Sequence, residues 1–512
     1  MKLSFSKLSP KALTSFLCLG YILIMFCIYP FYMENGYAQI SDAKYTFFLY
    51  SSLGAVLLLL LTGLVTFLKE IPKISRTDIF AFLFMVFSII SFFLSNYKYE
   101  SFLGLEGWNM GLLTLLLVPF IYILISKLYE YESFVLYPIL GASFVVFLLG
   151  ILDRFSIYLL PLEVRNTAFL STMGNINWFA GYYSVICPLG VGLLALELQK
   201  EIRAKGVLYL LFAFNLISFA FGFAQGAESV LLIWLALFLG LLFFAHVKII
   251  RLSNVFFIIA FWASSALIIF LLRIVIPAGF NYGSGGVLDR MTQSPIMVIV
   301  LLGAVAIRII ISSHDVDDKI IRTMFIFFVA SFFIWLGTAV VNTFIAESPF
   351  IDYDVFTLNE KFGSGRGYAL KASFMVFREM SFKDWLFGIG PDSFARFAYN
   401  IPDISDYLRT VWPNDMLPNA HCEPITVLIN GGVLGFISFY GILFSFIRRK
   451  FASIRKKFDG FEMCIVLSVA AYAVHNLISF TQVLNIPFLF ILMGMSESVK
   501  NTEFFDKNLD KK

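Results

Sequence analysis

Val230-Leu-Leu-Ile-Trp-Leu-Ala-Leu-Phe-Leu-Gly-Leu-Leu-Phe-Phe-Ala245 carries no charged side chain, and none lies between Glu228 and Lys248. A helix on the surface of a soluble domain confines its apolar residues to one stripe and turns a polar face to water. This stretch is apolar all round, which suits a helix enclosed by lipid or by other helices. Crossing the hydrocarbon of a bilayer takes roughly 20 such residues, and the run with its flanks, near 229–247, is long enough.

Working outward, thirteen further runs of this kind lie near 12–32, 44–68, 78–96, 111–126, 134–152, 174–196, 207–225, 255–275, 295–312, 323–344, 425–447, 461–479 and 484–499. The expected fold is an all-α polytopic membrane protein of about 14 transmembrane helices with one large, partly helical extracytoplasmic loop. Helices 1–11 would fill residues 1–344, the loop 345–424, helices 12–14 residues 425–499, and a cytoplasmic tail 500–512. The first run follows Lys2, Lys7 and Lys11 and is too long for a signal-peptide core, so it reads as a retained span.

Composition agrees. Of 512 residues 59% are hydrophobic and 14% charged, and mean hydropathy is +0.85; ordinary soluble domains are about 45–50% apolar and about 25% charged. A globule of ~300 residues buries only about 75% of its unfolded surface, so the excess here faces lipid. Soluble multidomain enzymes, disordered chains, coiled coils and disulfide scaffolds are excluded. A net charge of +4 implies no nucleic-acid or other polyanionic partner. Cys18, Cys27, Cys187, Cys422 and Cys464 sit mostly in apolar runs with no CxxC pair, which argues against structural disulfides and a thiolate metal site.

Lysine and arginine set the orientation. With the N-terminus inside, 24 of the 38 fall in cytoplasmic segments and 12 outside, Arg273 and Arg308 lying within spans. Seven of the outer charges belong to the long loop, and long loops weigh little in the positive-inside rule. Both termini are therefore expected in the cytoplasm. The stretch from Ile345 to Pro424 has 11 acidic and 7 basic residues and includes Trp385 and Trp412. It is too aromatic for a disordered linker and reads as a folded cap, its rings either stacking on sugars or forming its own core.

The histidines sort by place. His246 and His314 fall beside basic cytoplasmic loops and read as solvated. His421 ends the long outer loop in Asn419-Ala-His-Cys-Glu423, directly before a span, and is a candidate for chemistry. His475, near the outer end of the span 461–479, either makes an interhelical hydrogen bond or serves a site, since ionisable groups at membrane depth are functional candidates. Arg366 opens the helix-like stretch Gly365–Met380, where Leu370, Ser373, Phe374, Phe377 and Met380 share one face. Arg366 projects with that face and calls for an anion: a phosphate held bidentately, or an internal carboxylate such as Asp384 or Glu423.

Gly363-Ser-Gly-Arg366, then Asp384-Trp-Leu-Phe-Gly-Ile-Gly-Pro-Asp-Ser-Phe394, then Ala420-His421-x-Glu423 running into Gly431-Gly-Val-Leu-Gly435, resemble the O-antigen ligase and Wzy-type polysaccharide polymerase superfamily. Thr172-Met-Gly-Asn-Ile-Asn177 resembles its Gly-Asn-x-Asn segment, and Ala473-Val-His-Asn476 its last histidine-bearing helix. The resemblance covers roughly 165–500. Cys422 departs from the usual asparagine, and Gly222-Phe-Ala-Gln-Gly-Ala-Glu-Ser229 lacks the Ser-Arg that members often carry. The earlier arginine of the family is thus unplaced, with Arg154, Arg165, Arg273 and Arg290 as candidates.

The resemblance implies a glycosyltransferase, a ligase or polymerase of surface-polysaccharide biosynthesis in the cell envelope. It would move a glycan from an undecaprenyl-diphosphate carrier to an acceptor hydroxyl on a glycan, lipid or wall polymer at the outer face of the cytoplasmic membrane. It would use no cofactor, nucleotide sugar or metal. His421 would be the general base and Arg366 the grip on the diphosphate. Glu423, His475, Trp385 and Arg290 would be substrate-binding, with Trp385 alternatively shaping the cap and Glu423 alternatively orienting the histidine or serving a helix N-terminus. A lipid-linked oligosaccharide flippase or other multi-pass transporter is the competing class. Against it, no half-to-half repeat is seen, and the polar residues gather in one outer loop.

Overall fold

The computed structural model describes residues 9–498 apart from 70–71, 163–164, 278, 281–285, 314–316, 345–356, 361 and 457. The protein is an all-α polytopic membrane protein. Among the described residues, nine helices are long and apolar enough to cross a bilayer, a bent pair adds a tenth segment, and four shorter apolar helices accompany them.

These segments coincide with the runs read from the sequence. They are α1 (Pro10–Leu23), continued by a π-turn and a 3-10 turn to Phe31, α2 (Ile40–Lys69), α3 (Arg76–Leu94), α5 (Leu112–Leu128), α6 (Leu136–Arg154), α7 (Ile176–Glu197), α8 (Lys205–Ala224), α9 (Val230–His246), α10 (Leu252–Val275), α12 (Met297–Ser313), α13 (Asp318–Phe344), α18 (Glu423–Lys456), α19 (Gly460–His475) and α20 (Ile486–Ser498). A short α4 (Lys98–Leu103) precedes α5, and α11 (Val287–Gln293) meets α12 at 84°. The only paired strands among the described residues, Phe169–Leu170 and Gly174–Asn175, form a tight hairpin before α7. His314 and the tail 500–512 lie outside the described residues, and His246 ends α9 half-buried rather than simply solvated.

Burial sorts the helices into layers. From Phe179 to Glu197 α7 is enclosed by protein, whereas α2 and α13 are mostly exposed and turn their Leu, Phe and Ile side chains outward. Inside a bilayer, lipid tails are as apolar as leucine, so close approach rather than apolarity selects helix partners. Gly181, Gly190 and Gly192 of α7 supply it: a Cβ there would collide with Asn485, Phe214 and Cys464. α7 thus packs directly on α19, and α20 is buried from Ile486 to Ser496. The segment 476–485 joining α19 to α20 is irregular and mostly buried, with Asn476, Ser479, Thr481, Gln482 and Asn485 inside. Such backbone at membrane depth persists only where protein covers it.

Between α13 and α18, four helices form a separate module: α14 (Phe362–Glu379), α15 (Phe382–Phe387), α16 (Phe394–Tyr399) and α17 (Pro402–Val411). Its own core gathers Ala369, Ala372, Val376, Ile389, Phe394, Ala398, Ile404 and Leu408. This corrects the expected face of α14. Ser373 and Met380 are buried as expected, but Phe374 is 59% exposed and Ala369, Ala372 and Val376 take the inner positions. Small side chains bring α16 and α17 close to α14, and the bulky phenylalanine is turned out.

Candidate active site

α14 presents Arg366 from its first turn, and the turn before α18 presents His421. The backbone of His421 is left-handed at φ 50°, held by its own N–H donating to the Asn419 side chain at 2.9 Å. Both side chains reach the 476–485 segment. Arg366 Nε donates to the Ile478 carbonyl at 2.6 Å, Nη1 to the Gly363 carbonyl at 2.7 Å and Nη2 to Asn177 Oδ1 at 3.4 Å. The His421 ring stands edge-on to Phe480, centroids 5.2 Å apart.

The two cationic candidates feel one another. Burial, reinforced by the Arg366 charge, brings the His421 imidazole down to about 4 from its ordinary 6.5. The ring is therefore neutral at pH 7 and able to accept a proton. Burial also lowers Arg366 from the usual arginine value, though a guanidinium stays charged at any physiological pH.

Neither carboxylate weighed as an internal partner of Arg366 is spent on it. Asp384 closes a capping box with Ser381 at the start of α15. Glu423 Oε2 accepts the Thr481 N–H at 2.8 Å, while its own N–H donates to the Asn476 carbonyl at 2.9 Å. Glu423 thus stitches α18 to the segment that carries Ile478 and Phe480. His475 is fully buried, its Nδ1 3.0 Å from Asn476 Oδ1 and its Nε2 without a hydrogen-bond partner among the described residues.

Arg366, His421, Glu423 and His475 therefore converge on one segment. Trp385 and Arg290 lie elsewhere. The Trp385 ring stacks on Phe377 at 5.1 Å within the module, and Arg290 is exposed on α11. Of the other arginines, Arg154 is buried and donates to the carbonyls of Ala224, Thr167 and Gln225 at 2.9, 3.0 and 2.5 Å. It occupies the very turn, Gly222–Ser229, that lacks an arginine of its own. Arg165 and Arg273 pair with Asp153 and Asp289.

Two groups escaped the sequence reading. Asn177, the last residue of the Thr172–Asn177 segment, accepts from Arg366. Trp108 sits half-buried against Phe480, the ring that also meets His421. The signal for it was the turn chemistry of Gly104-Leu-Glu-Gly-Trp-Asn109, in which Gly104, Gly107 and Asn109 all take positive φ. A polar, aromatic-walled cluster of this kind can hold an anion at the guanidinium and take a proton at the imidazole. No protein-family model matches the chain, and no curated protein matches it.

Proposed function

We propose that the protein is an integral-membrane glycosyltransferase of the O-antigen ligase and polymerase type. In this reading the four shorter apolar helices and the bent pair complete 14 crossings. Both termini are cytoplasmic, and the 362–411 module lies on the outer face of the cell membrane. The substrate is an undecaprenyl-diphosphate-linked glycan, whose polyprenyl tail stays in lipid while its sugar enters beneath the module.

The acceptor hydroxyl oxygen attacks the anomeric carbon, forming the new glycosidic bond. The bond from that carbon to the diphosphate breaks, and the electron pair leaves with the phosphate oxygen. His421 takes the hydroxyl proton, a step that typically contributes ~10²–10⁴-fold. Arg366 meets the charge that develops on the departing diphosphate, a kind of electrostatic stabilisation that is often the largest single catalytic term. Attack opposite the leaving group inverts the anomeric centre.

The observation that carries this reading is the state of Arg366: a half-buried guanidinium whose hydrogen bonds go to neutral oxygens, beside a neutral imidazole. Among the described residues no carboxylate pairs with it, a partly desolvated cation is costly without a counter-charge, and a bound diphosphate supplies one. The test is deletion of the gene in its host, followed by return of wild type or His421→Ala. Wild type should restore surface glycan and His421→Ala should not, at equal protein in the membrane. Full restoration by His421→Ala would remove the histidine as base.

A further inference from the structure

The loop from Gly104 to Gly111 is held with unusual care. Asp392 of the module accepts the N–H groups of Leu105 and Met110 at 2.8 and 3.0 Å. Asp42 of α2 accepts the Gly107 N–H at 2.9 Å and the Asn109 side-chain amide at 2.7 Å. The Gly107 carbonyl accepts from Ser41 at 2.6 Å and from Gln482 at 3.2 Å. Three residues of the loop are left-handed, at φ 102°, 79° and 56°. Strained backbone that its surroundings hold in place clusters at binding sites.

What this loop presents is a single indole. Trp108 stands edge-on to Phe480 at 4.6 Å and to Trp178 at 6.4 Å, and both tryptophans are half-buried. A tryptophan anchoring a protein at the headgroup level needs no such clamp, and a core tryptophan would be enclosed. The row of rings continues from Trp178 to Phe169 at 5.9 Å. Phe169 lines a cavity of about 60 Å³ with Tyr37, Asp153, Tyr158 and Arg165. There Asp153 accepts from Tyr37 at 3.4 Å, and Arg165 lies 3.8 Å over the Tyr158 ring. At roughly 10–15 Å³ for each water on this measure, the cavity has room for a few water-sized groups, such as a polar sugar substituent with its hydration.

Resting on the transferase reading, we propose that Trp108 and Trp178 form a carbohydrate subsite beside His421. A sugar of the acceptor would lay its C–H face on the indoles and put one polar substituent between Tyr37, Asp153 and Arg165. The ring row starts at the base, which must meet the acceptor hydroxyl, so the subsite belongs to the acceptor. That acceptor is then a glycan, not a protein side chain or a bare lipid.

The test is transfer in membranes from a deletion host, using the host's own lipid-linked glycan as donor and its own acceptor, with each titrated in turn. Trp108→Ala should raise the apparent KM for acceptor on the order of tenfold, the loss expected of a truncated aromatic anchor. The donor KM should stay within about twofold, and Trp108→Phe should recover most of the affinity. Trp178→Leu, outside the clamped loop, should act in the same direction if Trp108→Ala does not reach the membrane. An unchanged acceptor KM in correctly inserted Trp108→Ala or Trp178→Leu overturns the subsite, as does a shift confined to the donor. Transfer surviving in His421→Ala is a different result, which overturns the transferase reading and the subsite with it.

Discussion

Arg366 Nε donates to the Ile478 carbonyl at 2.6 Å, and this bond ties the 362–411 module to the segment between two of the most enclosed helices of the bundle. Ile478 lies three residues after His475 and two before Phe480, the ring against His421. One guanidinium therefore satisfies irregular backbone at depth and stands at the edge of a site. The two duties are compatible because guanidinium carries five N–H donors in a rigid fork. Three are directed at Ile478, Gly363 and Asn177.

This geometry separates arginine from any other cation at position 366. Arg366→Lys keeps the charge but cannot reach three acceptors on three elements while holding a phosphate. Glycan transfer should fall nearly as far as in Arg366→Ala, by about 10²-fold or more on the scale of lost oxyanion donors. Near-normal transfer by the lysine variant would mean that a point charge suffices.

His421 gives a prediction with a sign. Its folded value, about 4, lies below the ordinary 6.5, so the free enzyme keeps the base form throughout the physiological range. The free-enzyme profile, kcat/KM against pH, should stay level on the acid side down to about 5 and fall only near 4. A bound diphosphate offsets the Arg366 charge, so the acid limb of kcat should lie above that of kcat/KM. Stability runs the same way: the unfolded chain takes this proton more readily, so stability is lost as pH drops from about 6.5 to 4. His421→Ala should flatten that part of the melting profile. A kcat/KM limb at the ordinary histidine value, unmoved in Arg366→Ala, would assign the base elsewhere.

The segments were legible because lipid imposes one rule on all of them: a long apolar run at helical length, bounded by charges. Val230–His246 and Leu252–Val275 needed nothing more. The face of α14 was not legible, because a helical wheel scores Phe374 as more apolar than Ala372, while packing in the module rewards the smaller side chain. Arg366, His421, Glu423 and His475 were found through motif resemblance and position before spans. Trp108 was missed because its importance comes from Asp42, Asp392 and Gln482, residues 66 and more positions away in sequence or on other elements. Trp385 came from the same motif resemblance and Arg290 from the unplaced arginine of that pattern, and a motif says nothing of where a ring or guanidinium points.

Glu423 offers a test of its stitching role. The Thr481 N–H that it accepts is buried, and a buried donor left unsatisfied costs about 1–3 kcal/mol. Glu423→Gln keeps an acceptor oxygen in place and should retain transfer within about tenfold. Glu423→Ala should lower the melting temperature and transfer together, because Phe480 and Ile478 lose their register. Equal and severe loss in both variants, with unchanged melting, would give the carboxylate a direct part in proton transfer.

Asp392 reports on how the module is attached. Burial pushes its carboxyl up to about 6 from 3.8, against the two backbone N–H groups of Leu105 and Met110 that favour the anion. The folded protein therefore holds this proton more tightly than the unfolded chain. Stability attributable to Asp392 is fully present below about 3.8, declines as pH rises to about 6, and is level above. At 1.36 kcal/mol per pH unit, the decline is at most about 3 kcal/mol. Asp392→Asn keeps an acceptor and cannot ionise, so its melting temperature should gain on wild type between pH 4 and 6. Asp392→Ala should instead release the Gly104–Gly111 loop, and chemical oxidation of Trp108, followed by mass spectrometry of its peptide, should speed up in that variant alone. If the asparagine variant tracks wild type at every pH, Asp392 is not the group that couples protonation to docking of the module.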